Sequence, residues 1–364
     1  MFEHIVVYEI FSYIEKNETN KTETSMKRSI DTIIREIRSF SPSKQKALLI
    51  RLNELLHSDV NAEATMLEIR KDIQQQSGLT CPHCDSESIY GHGKYRGGKR
   101  YKCNACGKTF NGLTGTSVSG IHKKEEWEQY LSCMSEGLSL RAAAKQVGIS
   151  LKTSFTWRHK ILGAFQDIGC SKLEGIIEGD ETFFLYSEKG NKNIKGRDPR
   201  KRGGKASKRG INDEHVAVIV ASDRDKHTIV EVAGRSRISA EKINNAIGKW
   251  IPENTIALCS DSHRSYAKFA NDNDIRHIAI NVSKGQYVRD KVYHVQNVNN
   301  IHHLLKDWIK PFNGVASKYL QNYMNWFRIQ RSENGDASKF LQLAIASNSS
   351  FVPSREIILH YVIT

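Results

Sequence analysis

The 364 residues contain no run approaching the roughly 18 consecutive apolar side chains of a membrane-crossing helix, so no membrane partner is expected. The opening stretch MFEHIVVYEIF lacks the basic residues that precede the apolar part of a secretion signal, and acids interrupt its apolar run. It reads as a core helix, and a cytoplasmic protein is expected. Acidic charge is scarce: 40 Asp and Glu stand against 54 Lys and Arg, leaving a net charge of +14 and a pI near 9.3. The basic excess bunches between Lys189 and Arg209 and around the first cysteines. Such a distribution suits a polyanionic partner, although a generic basic surface also fits charge alone. Residues 295–306, VQNVNNIHHLLK, hold four side-chain amides, two histidines and a lysine but no carboxylate.

The chain is long enough for two or three domains with at least one sizeable core. Four of its seven cysteines form one pattern, Cys81–Cys84 and Cys103–Cys106, with eighteen residues between the pairs. Each CxxC sets two thiolates on one tight knuckle, and two facing knuckles close a tetrahedral shell around Zn2+. Two disulfides are the competing reading, which a reducing cytosol disfavours. Cys133, Cys170 and Cys259 stand alone and are expected to be buried, while His83 lies between two ligands without being needed. Between the knuckles, Tyr90, Tyr95 and Tyr101 interleave with Lys94, Arg96, Lys99 and Arg100, predicting a hairpin that turns near Gly97–Gly98. Its aromatic, basic face could lie on a phosphate backbone, or its tyrosines could pack the small zinc core.

Residues 1–77 read as helical. Ile30, Ile33, Ile34 and Ile37 form one apolar stripe and Leu48, Leu49, Leu52, Leu55 and Leu56 another, with Pro42 and Ser43 breaking and capping between them. After the ribbon, residues 122–168 have the rhythm of a helix-turn-helix. Ser139 caps a short helix packed through Leu140, Ala143, Ala144 and Val147, Gly148 makes the turn, and Ser150 caps the next helix. Lys152, Thr153 and Ser154 open that second helix and Arg158, His159 and Lys160 follow, with Phe155 and Leu162 expected in the core. Lys152, Thr153, Ser154 and Arg158 are the candidates for DNA contact. An ordinary helical hairpin is the alternative.

From Leu173 the texture changes. EGIIEGDETFFLY, EHVAVIVAS and HTIVEVAG read as strands, followed by a helix capped by Ser239, the short strand TIALCSD, the helix SYAKFAND, the strand RHIAI and a last long helix. This is the ribonuclease-H-like order, in which acids at strand ends meet at one metal site. Asp180 lies inside the first strand and Asp261 ends the fourth. Glu178 shares the face of Asp180 and is a candidate auxiliary, Glu181 must point the other way, and Asp223 and Asp225 suit a turn.

With these residues in view, positions 78 to 331 resemble the zinc-ribbon-bearing insertion-sequence transposases of the DDE type, in the subgroup whose third site residue can be Asn and is followed by Lys. The resemblance rests on the ribbon, Asp180–Glu181–Thr182, Asp261 with Tyr266, His294, Asn299 and Lys306. It implies Asp180, Asp261 and Asn299 as ligands of Mg2+ or Mn2+, and Lys306 as their catalytic companion. The aromatic residues often found after the third position are replaced by Ile301 and His302, so the choice of Asn299 over Asn297 or Asn300 rests on register to Lys306. On a helix Asn299 and Lys306 share a face with His302 or His303 between them. An Asn oxygen can bind Mg2+ without bringing charge, which would account for a metal-using segment without a carboxylate.

Between the first two strands, Lys189 to Arg209 carries ten basic residues and one acid, so Arg200, Lys201 and Arg202 are expected on DNA, with a solvated loop as the alternative. The expected architecture is multidomain α+β: a helical region (1–77), a zinc ribbon (78–112), a helix-turn-helix (122–168), a ribonuclease-H-like α/β catalytic domain (172–331) and a tail (332–364). The expected activity is DNA transposition on double-stranded DNA by a homo-oligomer. A zinc-ribbon and helix-turn-helix regulator with an inactive nuclease-like domain is the runner-up.

Overall fold

The computed structural model describes Arg35, Ile37, Ser39, Phe40, Met66, Leu67 and Arg70, and residues 78–95, 98–165, 172–195, 197–200 and 203–332. The chain divides into two compact units, Met1–Asn61 and Ala62–Thr364. Of the two expected N-terminal stripes, Ile37 alone is described, and it is helical; the others, Cys170 and the tail beyond Ser332 lie outside the described residues. Met66 and Leu67 are helical and belong to the second unit, where Met66 is buried in the core that holds Leu113 and Trp127.

The ribbon is a three-stranded antiparallel sheet of β1 (Ile89–Tyr95), β2 (Gly98–Cys103) and β3 (Thr109–Asn111), in that order. Each knuckle closes on backbone hydrogen bonds: the amide of Cys81 donates to Ser86 O at 2.9 Å, and that of Cys103 to Lys108 O at 3.0 Å. Gly107 adopts φ 70°, the left-handed turn expected after the last pair. Of the three tyrosines, Tyr101 takes the core-packing role. Tyr101 stacks on buried Phe110 at 5.5 Å, whereas Tyr90 and Tyr95 are exposed.

Three helices follow: α1 (Trp127–Ser135), α2 (Leu140–Val147) and α3 (Leu151–Ala164). The expected caps are present, with the hydroxyl of Ser139 accepting from the amide of Ala142, that of Ser150 accepting from Thr153, and Gly148 at φ 71° between the helices. Three expectations for α3 are corrected. Phe155 is 36% exposed rather than in the core. Ser154 is buried, its hydroxyl donating to Leu140 O at 3.0 Å, so it faces α2 and not a groove. Arg158 is also fully buried: it donates to Leu138 O at 2.8 Å and lies 4.7 Å over the ring of Trp326. Residues four apart share one helix face, so Ser154 and Arg158 both turn inward while Lys152 stays exposed and Thr153 half-exposed.

The remaining described residues form a five-stranded mixed sheet: β4 (Ile176–Leu185), β5 (His215–Ser222), β6 (Thr228–Arg235), β7 (Ala257–Ser260) and β8 (His277–Ala279), ordered β6-β5-β4-β7-β8. β4, β5 and β6 meander antiparallel, while β7 and β8 run parallel to β4. Period-two alternation sorts the sheet's side chains onto two layers. Ala217, Ile219 and Ala221 pack with α4 (Ala240–Ile247) and α5 (Arg264–Asp272). Val216, Val218 and Val220 pack on the other face with α6 (Gln296–Ile309) and α7 (Leu320–Ser332), and this second core runs on into α1 and α3.

Candidate active site and metal centre

Strand register brings the two aspartates together. In the parallel pairing of β4 and β7, Glu178 stands opposite Cys259. Asp180 and Asp261 each lie two residues further along, Asp261 just past the end of β7 and exposed, so the register sets both beside the end of β7. The strand order reverses between β4 and β7, and Asp180 stands in the middle of β4, two residues past its last pairing with β7.

α6 covers this position. His302 brings Nδ1 within 3.6 Å of Asp180 Oδ2, and the charge of Lys306, one turn further, also acts on Asp180. Asn299 lies one turn before His302, next to the face that Val298, Ile301 and Leu305 bury, and it is exposed. Asn297 is engaged elsewhere, since its amide N and Nδ2 both donate to Glu178, at 2.9 and 2.7 Å.

Glu178 is therefore not an auxiliary ligand. It is completely buried and also pairs with Arg224 and with His294, whose Nδ1 lies 3.1 Å away. Its second oxygen accepts from the first-turn amides of Asn297 and Val298, so a carboxylate caps the positive end of α6. Recognising this from sequence would require knowing that Arg224, in the β5–β6 turn, reaches back to β4. Asp223 is a turn former as expected, accepting from the backbone amide and Nδ1 of His227.

Burial pushes the Asp180 carboxyl up to about 7, with Glu181 and Asp261 adding to the rise. Burial and Asp261 push Glu181 up to about 7 as well, on the opposite face beside buried Tyr266. Burial holds His302 neutral, down to about 4, with Lys306 contributing. The negative charges of Glu181 and Asp261 oppose ionisation of Asp180, and a hard divalent cation beside Asp180 would relieve that repulsion. The ribbon cysteines suit a softer ion. Sγ of Cys81 and Cys106 are 3.7 Å apart and Sγ of Cys84 and Cys103 3.6 Å, close to the edge of about 3.8 Å for a tetrahedron with Zn–S near 2.3 Å. Among the described residues this is the sole group of three or more His, Cys, Asp or Glu ligand atoms within 4.8 Å of one another.

In the basic loop, Arg200 donates to Tyr186 O and pairs with Glu214 at 2.8 Å, so it ties the loop to the sheet instead of standing free for DNA. Hydrogen bonds from Ser207 and from Arg200 hold Glu214 down to about 2. Lys201 and Arg202 lie outside the described residues.

Residues 172–330 match the family model of the ISXO2-like transposase domain. This stretch is similar to insertion-sequence transposase domains. A protein of the transposable element ISH50 of Halobacterium salinarum is 26% identical over 277 residues, 74% of this chain and 91% of the relative, so the likeness extends well beyond the transposase domain. A pre-cleavage Mos1 transpososome chain aligns with 62% of this chain and 78% of its own at 12% identity and TM-score 0.21. A mariner Mos1 paired end complex with Mg aligns over 77% and 86% at 13% identity and the same TM-score. TM-scores this low establish no shared fold. Among the described residues, no helix is long and apolar enough to cross a membrane.

Proposed function

We propose that the protein is an active DNA transposase with a ribonuclease-H-like catalytic domain, which nicks the ends of its element and joins the freed 3′ hydroxyls to target DNA. What supports this reading is the β4–β7 register, which sets Asp180 and Asp261 at matching positions of neighbouring strands, together with His302 of α6 against Asp180, inside a stretch that matches a transposase domain. Asp180, Asp261 and Asn299 would hold Mg2+ or Mn2+, which supplies charge stabilisation for the attacking and leaving oxygens of an in-line phosphoryl transfer. Lys306, exposed on the same face, binds a DNA phosphate beside the scissile one. Asn299 adds an oxygen without adding to the crowded negative charge, and His302, neutral and buried, holds α6 against Asp180. Glu178 fixes the first turn of α6 and with it the position of Asn299. α3 reads DNA through Lys152 and Thr153, the zinc ribbon lies on the backbone through Tyr90 and Tyr95, and two or more copies act together on paired ends.

Nicking of supercoiled DNA carrying the element ends, titrated with Mg2+, tests the reading. Asp180→Asn and Asp261→Asn abolish nicking while DNA binding persists, Asn299→Ala raises the Mg2+ requirement, and Asn299→Glu is tolerated. Nicking by Asp180→Asn at the unaltered rate would sink the site. An unchanged titration for Asn299→Ala would remove only Asn299 as a ligand.

A further inference from the structure

A cleft of about 570 Å³ opens between the starts of α2 and α3 and the loop of residues 311–316 that follows α6. Its volume falls within the roughly 300–1,000 Å³ of small-ligand sites. Its composition is selective: Arg141, Lys152 and Lys189 line it together with Phe155, His159 and Tyr319, and no lining residue is acidic. Ser139 and Leu151 place the positive ends of two helices at its wall.

The apolar part is an aromatic corner in which Phe155 and Tyr319 meet edge to face, with an interplanar angle of 73°. Phe155 sits 4.4 Å from His159 and 5.7 Å from Tyr319, ring centre to ring centre, and His159 lies 4.1 Å from Tyr319. Phe155 and Leu151, one turn apart on α3, remain 36% and 44% exposed, an apolar surface that the fold leaves open beside the cations. His159 is 1% exposed and its Nδ1 has no hydrogen-bond partner among the described residues. Burial, with Arg158 and Lys318, holds this ring neutral, down to about 3, so it backs Phe155 and Tyr319 as an aromatic and not as a cation. Lys189 donates to the carbonyls of Phe312, Asn313 and Gly314, fixing the far wall. Arg141 is exposed at the rim.

We propose that this cleft binds one unstacked nucleotide of the DNA, its base against Phe155 and Tyr319 and its phosphate toward Arg141 and Lys152. An aromatic corner bordered by cations matches the two halves of a nucleotide, the flat base and the anionic phosphate. Lys152 belongs both to the cleft and to the end of α3 that meets DNA in the proposed function, so a strand followed by α3 passes the cleft mouth. The inference rests on that DNA-binding reading.

The test compares two fluorescein-labelled duplexes of one sequence, fully paired or with a single unpaired central adenosine, binding to the full chain at fixed salt. Base stacking on an aromatic side chain makes the bulged duplex preferred by about fivefold or more. Phe155→Ala and Tyr319→Ala remove that preference while affinity for the paired duplex stays within about twofold. Arg141→Ala, a change at an exposed residue that leaves folding intact, reduces the preference too. If the preference survives in Phe155→Ala and Arg141→Ala, or if the unaltered protein binds both duplexes equally, the cleft assignment is overturned and the proposed function stands. If neither duplex binds, the proposed function falls and the cleft assignment with it. Phe155-dependent binding of deoxyadenosine monophosphate, with both duplexes bound alike, would assign the cleft to a free nucleotide and overturn its assignment to DNA.

Discussion

At the scale of single residues, Asp180 and Arg158 are both charged groups taken from water, with opposite consequences. Asp180 rises from the usual 3.8 to about 7. A carboxyl raised in the folded state contributes most when protonated, so its contribution is fully present below about pH 4 and is lost as pH climbs through 7. Without metal, Asp180→Asn should therefore be more stable than the unaltered protein at pH 8, by on the order of 2 kcal/mol, with the difference vanishing near pH 4. Thermal melts in chelator check this, and a difference independent of pH would contradict it. Added Mn2+ should stabilise the unaltered protein far more than the variant, increasingly so from pH 6 to 8, because binding displaces the proton. Arg158 pairs with no carboxylate among the described residues; a carbonyl and the faces of Trp326 and Tyr130 hold it. Arg158→Ala should cost roughly 3 kcal/mol from the lost charge-assisted hydrogen bond and cation–π contact. Its folded fraction should keep its choice of DNA sequence, and a selective loss of sequence preference would restore Arg158 as a reader.

At the scale of elements, the ribbon is too small to hold itself together. Its buried apolar residues besides cysteine amount to Phe110, with Leu79, Ile89 and Tyr101 packed around it. A core of this size is commonly held by disulfides, a metal or a partner, and the four clustered thiols fit a metal. The purified protein should contain one zinc per chain, and Cys103→Ser with Cys106→Ser should remove it, read by metal analysis. Ribbon amides near Cys81 and Cys103 should then exchange with solvent at rates close to those of an unfolded chain, while the amides of β5 stay protected. Retained zinc in the double variant would eliminate the tetrathiolate site. α6 differs from the ribbon in being fixed by contacts on three sides: apolar burial at Val298, Ile301 and Leu305, the Glu178 cap, and His302 against Asp180.

For the whole molecule, the excess of base over acid acts through its distribution. DNA affinity should fall steeply with salt, and the slope should shrink by roughly 0.9 for each phosphate contact removed. Lys201→Ala with Arg202→Ala should flatten the slope without altering sequence preference. Arg200→Ala should leave the slope nearly unchanged and loosen the loop, because Arg200 already pairs with Glu214. A slope reduced as much by Arg200→Ala as by the double variant would place Arg200 on phosphate.

What sequence determined by itself was local. The CxxC pairs, the Ser139 and Ser150 caps, the turn at Gly148, the strand carrying Asp180 and the helix carrying Asn299 each follow from spacing or periodicity over a few residues. Tertiary structure decided which side of each element is spoken for. Helical periodicity places Phe155 inward and Arg158 outward, the reverse of the fold, because it ranks faces by polarity and cannot foresee that Trp326 takes a guanidinium or that a cleft opens beside an aromatic ring. Glu178 and Asp180 share one strand face and look equivalent in sequence. Only the return of Arg224, His294 and the first turn of α6 to that strand separates a buried cap from a carboxylate left facing the site, because those partners come from segments 46 to 120 residues away.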